Sequence, residues 1–291
     1  MRKRIFIVVV LSLLFALLTG CSELNLSSSS SSTFGITFID VGQGDSALVE
    51  CDGQFMLIDG GDTNAGDKVY SVLEERGIQH LDVLAISHLH ADHIGGLIKA
   101  LTYATKIDKT ISNSDYSEKD TFRKLEHQLA INGAHITVPR EGQKYKLGSA
   151  EIEVVYAASE SENDSLVLLI TYKNTRFLFT GDIGDNAQTY ISDKYENPKD
   201  KENKINLIKM PHHGSCSQKS VDGTGSLYRF IRTFMPDYGV ISVGKGNEYG
   251  HPHRKTLELL EDADIQVFRT DWNGDITVKS DGNKLEIETS K

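Results

Sequence analysis

His88, His90, Asp92 and His93 place three imidazoles and a carboxylate within six residues. That density of nitrogen and oxygen donors suits divalent cations. On an extended segment, side chains at i and i+2 point the same way, so His88 and His90 can grip one cation together. The turn that follows swings Asp92 and His93 toward a second position, which makes two adjacent metals geometrically reasonable. One such histidine alone would read as an ordinary loop residue; four donors at this spacing point to a metal centre.

The elements around the cluster must hold it rigidly. The apolar run 81–86 reads as a buried strand, and Ile94-Gly95-Gly96-Leu97 opens a helix expected over 94–102, so the donors sit on a strand-to-helix loop. Upstream, strand patterns at 35–40, 46–51 and 55–59 are separated by glycine-rich turns, and 67–76 reads as a short amphipathic helix. A helix over 120–131 carries Phe122, Leu125 and Leu129 on one face and closes at Asn132-Gly133. Strands follow at 150–156, 165–172 and 176–179, the last two joined through Lys173-Asn174 as a hairpin. Beyond them strand and helix alternate: helices near 186–192, 227–234 and 255–262, and strands at 205–210, 238–243, 265–269, 275–279 and 284–288. This pattern by itself gives a mixed α/β protein. His127 and His135 read as surface histidines.

The N-terminus carries a different signal. Arg2-Lys3-Arg4 followed by the apolar run 5–18 has the form of a secretory signal, too short for a comfortable bilayer span. Leu18-Thr19-Gly20-Cys21-Ser22 resembles a bacterial lipoprotein box, which implies a signal peptide over 1–20, lipidation of Cys21 and a membrane-anchored chain facing outside the cytoplasm. The polar stretch 22–33, with six consecutive serines, cannot bury enough apolar surface to fold. It reads, with Cys21, as a 21–33 tether reaching about 20 Å root-mean-square. No second low-complexity linker follows, so 34–291 is expected to be one domain.

Without the three basic residues of the signal the chain has 28 Lys and Arg against 41 Asp and Glu, a formal charge of −13. Binding dominated by phosphate-backbone neutralisation is therefore excluded, and any nucleic-acid activity must rest on the metal site and a local patch. Of the remaining cysteines, Cys51 ends a strand pattern and reads as a small core residue, while Cys216 reads as a loop residue. Nothing in the sequence brings the two together.

His88-x-His90-x-Asp92-His93 resembles the signature of the metallo-β-lactamase superfamily. Phe38-Ile39-Asp40-Val41-Gly42-Gln43-Gly44-Asp45-Ser46, Leu57-Ile58-Asp59-Gly60-Gly61, Thr180-Gly181-Asp182, Pro211-His212-His213-Gly214-Ser215 and Tyr249-Gly250-His251-Pro252 extend the likeness, in order, to the hydrolase domain of ComEC-type competence proteins. The resemblance covers about Phe34 to Glu288. It implies an α/β, four-layer αβ/βα sandwich with two divalent metal ions, Zn2+ or Mn2+, held by His88, His90, Asp92, His93 and a bridging Asp182. One of the two histidines after Pro211 completes the second site; His212 is favoured as ligand, with His213 lining the pocket and standing as the alternative. Asp59 would orient ligand histidines from behind. Many superfamily members draw a third histidine for the first metal from the segment before Thr180; here that position falls within Asn163-Asp164-Ser165, which leaves Asp164 as a candidate oxygen ligand and a site suited to manganese.

Asp92 and His251 are the candidate catalytic residues, His251 as a general acid or hydrogen-bond donor, and Ser215, Asn247 and Tyr249 are candidates for substrate contact. The resemblance implies phosphodiester hydrolysis by metal-activated water, with single- or double-stranded DNA as substrate. A small phosphodiester, a lactone or a thioester is the alternative substrate, and a metal-binding scaffold the non-enzymatic one. Lys209, Lys219, Lys245 and Arg254 discriminate: one basic groove would favour a polynucleotide, a scattered set a small substrate.

Overall fold

Alternation along Phe34–Phe38 shows how the layers are built: Phe34, Ile36 and Phe38 point into an apolar layer between two sheets. The computed structural model describes residues 33–159, 164–196, 204–216 and 225–291. The expected signal peptide, Cys21, nearly all of the tether, Asn163 and Lys219 lie outside the described residues.

The first sheet has eight strands in the spatial order Leu285–Thr289, Ile276–Ser280, Phe34–Phe38, Ala47–Cys51, Gln54–Ile58, Val83–Ile86, Thr110–Ser112 and Ile136–Thr137. The second has seven, in the order Gln266–Arg269, Tyr238–Ile241, Leu207–Lys209, Thr175–Phe179, Val167–Tyr172, Ala150–Tyr156 and Lys144–Leu147. Inward side chains of both, among them Phe34, Met56, Ile170 and Phe177, form one core, and Phe34 stacks on Tyr172 and Phe177 across it at 5.0 and 4.9 Å between ring centroids. Outward residues of the first sheet, such as Leu48 and Leu84, pack on Leu73 of helix Gly66–Glu75 and Phe122 of helix Asp120–Ile131. Leu178 and Ile208 of the second sheet pack on Ile191, Phe230 and Leu260 of helices Asp185–Tyr195, Ser226–Phe234 and Arg254–Asp262. The layers are helix, sheet, sheet, helix, the expected four-layer αβ/βα sandwich.

Each sheet is antiparallel at one end and parallel at the other. Gln54–Ile58, Val83–Ile86 and Thr110–Ser112 run parallel in the first sheet, and Thr175–Phe179, Leu207–Lys209, Tyr238–Ile241 and Gln266–Arg269 in the second. Asp59, His88, Asp182, His212 and Ser242 all follow carboxyl ends of these strands, where crevices of α/β sheets open.

Two expected elements differ. The run 81–86 divides at Asp82, whose carboxylate accepts the Phe55 N–H at 2.8 Å, and His80–Leu81 pairs instead with Lys106–Ile107 in a two-stranded sheet. The helix expected over 94–102 is two short helices, Ala91–Ile94 and Leu97–Ala100, because Gly95-Gly96 crosses the 60–63 loop: a Cβ on Gly96 would lie 2.0 Å from the Gly60 carbonyl oxygen.

Candidate metal centre

The backbone of the 87–93 loop is pinned from two sides before any side chain is considered. Gly60 N–H donates to the His93 carbonyl at 2.7 Å, and Asp45 N–H donates to the Asp92 carbonyl at 3.2 Å. Gly44 makes the second contact feasible, since a Cβ there would sit 2.2 Å from the Asp92 oxygen, and its φ of +132° disfavours any other residue.

Asp182 is the hub of the cluster. Its Oδ2 lies 3.3 Å from His93 Nε2, 3.5 Å from His213 Nε2, 3.9 Å from His212 Nε2 and 4.0 Å from His88 Nε2. Asp92 Oδ2 is 3.3 Å from His213 Nε2 and 3.8 Å from His93 Nε2. Asp92, His93, Asp182 and His213 thus present one ligand atom each, all within 4.8 Å of one another. The Nε2 atoms of His88 and His93 are buried and make no hydrogen bond of acceptable geometry, an arrangement that costs free energy unless a cation accepts their lone pairs. Two carboxylates and two imidazoles converging on one point are a donor set that fits zinc or manganese. His88, whose ring centroid lies 4.5 Å from that of His90 and 4.1 Å from that of His93, is also 4.0 Å from Asp182 Oδ2, so His88 and His90 are the donors available to a second cation.

Supporting hydrogen bonds fix which ring nitrogen faces inward. His93 Nδ1 lies 2.9 Å from Asp59 Oδ2, a carboxylate that can only accept, so Nδ1 carries the proton and Nε2 points into the cluster. His213 Nδ1 is turned in the same way toward the Ser242 carbonyl, at 3.0 Å. His88 Nδ1 meets hydroxyls instead, Ser87 Oγ at 3.0 Å and Ser165 Oγ at 3.4 Å.

The electrostatics follow from this crowding. Burial opposes ionisation of Asp92, but the hydrogen bond to His213 and the charge of His93 outweigh it and hold the carboxyl far below the usual range. Burial likewise disfavours a charged His213, yet Asp182 and Asp45 raise it to about 9. At Asp59 burial wins over His93 and raises the carboxyl. His251 is lowered to about 4 by burial and by the nearby His253, His213 and His212.

Several expected placements change. His213, 1 % exposed, stands in the four-donor group, while His212 sits half-exposed at its edge, so the favoured order of the two is reversed. Both adopt left-handed backbone angles, φ +49° and +53°, which turns the adjacent side chains in different directions. The Asp164 carboxylate accepts the Tyr156 hydroxyl at 2.9 Å and is not in the donor group; the nearby Ser165 takes the place beside His88 and also accepts the Asp182 N–H at 2.9 Å. Asn247 uses its amide internally, donating to the Gly244 and His251 carbonyls and accepting the His251 N–H, so it shapes the loop that presents His251. This lowering favours the neutral imidazole of His251, which can place an N–H on an oxygen.

Tyr249 stacks on His251 at 5.7 Å and remains 58 % exposed beside an open pocket of about 440 Å³ that Asp92 also lines. Ser215 is half-buried and donates its N–H to the His212 carbonyl at 2.8 Å. Cys51 is buried and Cys216 half-buried.

Lys209 departs most from expectation. It is 3 % exposed and ion-paired with the buried Asp45, so it lines no groove. Arg254 is exposed and paired with Glu258, and Lys245 is exposed. Lys119 supplies the cation the sequence reading missed: exposed itself, its charge acts with burial to lower His90.

Residues 39–222 match the profile of the Metallo-beta-lactamase superfamily. The chain is 29 % identical over 263 residues to ComE operon protein 3 of Bacillus subtilis (strain 168), covering 83 % of this chain and 32 % of that protein. It is 26 % identical over 267 residues to Recombination protein 2 of Haemophilus influenzae, covering 89 % and 30 %. The chain therefore spans about a third of the length of these relatives. Among solved structures, the metallo-beta-lactamase fold protein YhfI from Bacillus subtilis shares the fold, with a TM-score of 0.54, 14 % identity, and coverage of 85 % of this chain and 100 % of that one.

Proposed function

The chain belongs to the metallo-β-lactamase superfamily as a metal-dependent hydrolase, and from that premise we propose that it cleaves phosphodiester bonds, with DNA as the substrate, outside the cytoplasm. The observation that carries the reading is the Asp182 hub: one carboxylate oxygen within 4.0 Å of four imidazole nitrogens, with further donors on both sides. Two divalent cations held there supply activated water and neutralise charge on the phosphoryl oxygens.

The chain's own residues divide the remaining work. His88 and His90 would hold one cation and Asp92, His93 and His213 the other, with Asp182 available to both. Asp59 keeps the His93 proton on Nδ1. His251, set beside His212 and His213 by the Asn247 hydrogen bonds, offers an N–H to a non-bridging or leaving oxygen. Lys119 would meet a substrate phosphate near His90 and Tyr249 a base. DNA is supported by the alignment with a competence operon product and a recombination protein. Anchoring through Cys21 rests on the sequence alone.

A small phosphodiester is the second reading, favoured by Asp62 and Glu248 on the pocket beside Asp92 and by the burial of Lys209 away from the surface. The test is hydrolysis of single-stranded DNA and of bis(p-nitrophenyl) phosphate by the metal-loaded chain, with His90→Ala as control. Metal-dependent DNA cleavage lost in the control supports the first reading. Cleavage of the small ester alone moves the function to the second, and silence on both sinks the phosphodiesterase proposal.

A further inference from the structure

Behind the metal-ligating face lies a pair of buried charges with no part in substrate contact. Asp45, 6 % exposed, is ion-paired with Lys209, 3 % exposed. Asp45 Oδ1 is 3.3 Å from His213 Nδ1, and its Oδ2 is 3.7 Å from His93 Nδ1. The carboxylate therefore lies beside the outward-facing nitrogens of the two imidazoles whose Nε2 atoms enter the four-donor group; those nitrogens give their hydrogen bonds to Asp59 and the Ser242 carbonyl, and Asp45 Oδ1 makes none. Lys209 Nζ also donates to the Gly181 carbonyl at 3.3 Å and lies 3.9 Å from Asp182 Oδ1, an oxygen with no hydrogen bond of its own. With Phe38, Phe179 and Leu168 the pair borders a cavity of about 20 Å³ at the top of the inter-sheet core, large enough for one water. A substrate approaching His251 and Tyr249 would meet the metal ligands first.

We infer that Lys209 and Asp45 are positioning residues for the second metal: the ammonium holds the Asp45 carboxylate beside the Nδ1 edges of His93 and His213, where its charge backs the hydrogen bonds those nitrogens give Asp59 and the Ser242 carbonyl, and it steadies the backbone that presents Asp182. The inference rests on the metal-binding reading above. Two features support it. An isolated buried carboxylate or ammonium is costly, so each member needs the other. The first-site histidine His88 has only hydroxyl support at Nδ1, so this backing belongs to the second site. Partners of this kind typically change metal affinity 10–100-fold.

The test uses the full chain, stripped by chelator and titrated with Mn2+ by calorimetry, and then loaded with Co2+ for its visible spectrum. Asp45→Asn keeps the shape and an acceptor for Lys209 while removing the charge. Mn2+ affinity at one of two sites is expected to fall at least about tenfold, with an altered Co2+ band. Lys209→Met combined with Asp45→Asn removes both buried charges, so its metal-free melting temperature should recover toward the wild-type value while the affinity loss persists. Lys209→Met alone should melt lowest, because it strands Asp45. Wild-type affinity and spectrum in both Asp45→Asn and the double variant would overturn the inference and leave the pair a purely structural contact. Wild-type protein that takes up no metal would overturn the metal-dependent reading itself, and this inference with it.

Discussion

The two oxygens of Asp59 bind two different parts of the metal loop: Oδ2 accepts the His93 Nδ1–H at 2.9 Å and Oδ1 accepts the Ser87 N–H at 2.7 Å. One carboxylate thereby fixes both the start of the loop and the orientation of an imidazole within it. Asp59→Ala should lower metal affinity by about 10–100-fold, checked by competition with a chromogenic chelator. Unchanged affinity would reduce Asp59 to a loop anchor.

His212 and His213 should behave differently on truncation. His213 lies in the four-donor group and His212 at its margin. His213→Ala should therefore remove one equivalent of metal per chain by elemental analysis. His212→Ala should retain both while lowering turnover. The opposite pattern would restore His212 as the ligand.

The metal-free chain should lose stability as the solution becomes alkaline. Burial opposes charge on His213, but Asp182 and Asp45 overcome it and raise the group to about 9 from an ordinary 6.5. A raised folded-state value stabilises the fold fully below about pH 6.5, and that contribution is lost as pH climbs through about 9. His93 shifts in the same direction. Melting temperatures of chelator-treated protein should fall across this interval, and loading with metal, which displaces those protons, should flatten the trend. A level or rising profile in the stripped protein contradicts the placement of these imidazoles among carboxylates.

Gly44→Ala should damage the site without altering a donor. The added Cβ would meet the Asp92 carbonyl at 2.2 Å, where φ is +132°. Strain of this type costs about 1–3 kcal/mol, so the melting temperature should drop by at least about 2 °C. Metal affinity should fall with it, because Asp92 must retreat.

Much of this was legible beforehand because two periodicities are strong. The helix expected over 120–131 is observed at Asp120–Ile131, its core residues three and four apart, and the strand expected over 150–156 is Ala150–Tyr156. Lys144–Leu147, Thr110–Ser112 and Ile136–Thr137 escaped notice because two to four residues carry no measurable period. The donors His88 to His93 stood out by spacing. Asp45 and Lys209 did not, since their pairing joins a loop to a sequence-distant strand of the other sheet; Gly42 and Gly44 before Asp45 were the available hint. His212 and His213 could not be ranked from sequence, because left-handed backbone angles decide which ring is buried. Ser165 was hidden by a search for histidines and carboxylates, when a hydroxyl was what the space beside His88 admits.

The donors come from both sheets. His88, His90, Asp92 and His93 follow the strand Val83–Ile86, whereas Asp182 and His213 follow strands of the opposite sheet. Interdigitated side chains in the layer between these sheets oppose sliding of one sheet past the other. A cation ligated from both sides acts as a rivet against that shear. Amide hydrogens in Val83–Ile86 and Thr175–Phe179 should then slow their exchange in concert when metal is added, although the two strands share no backbone hydrogen bond.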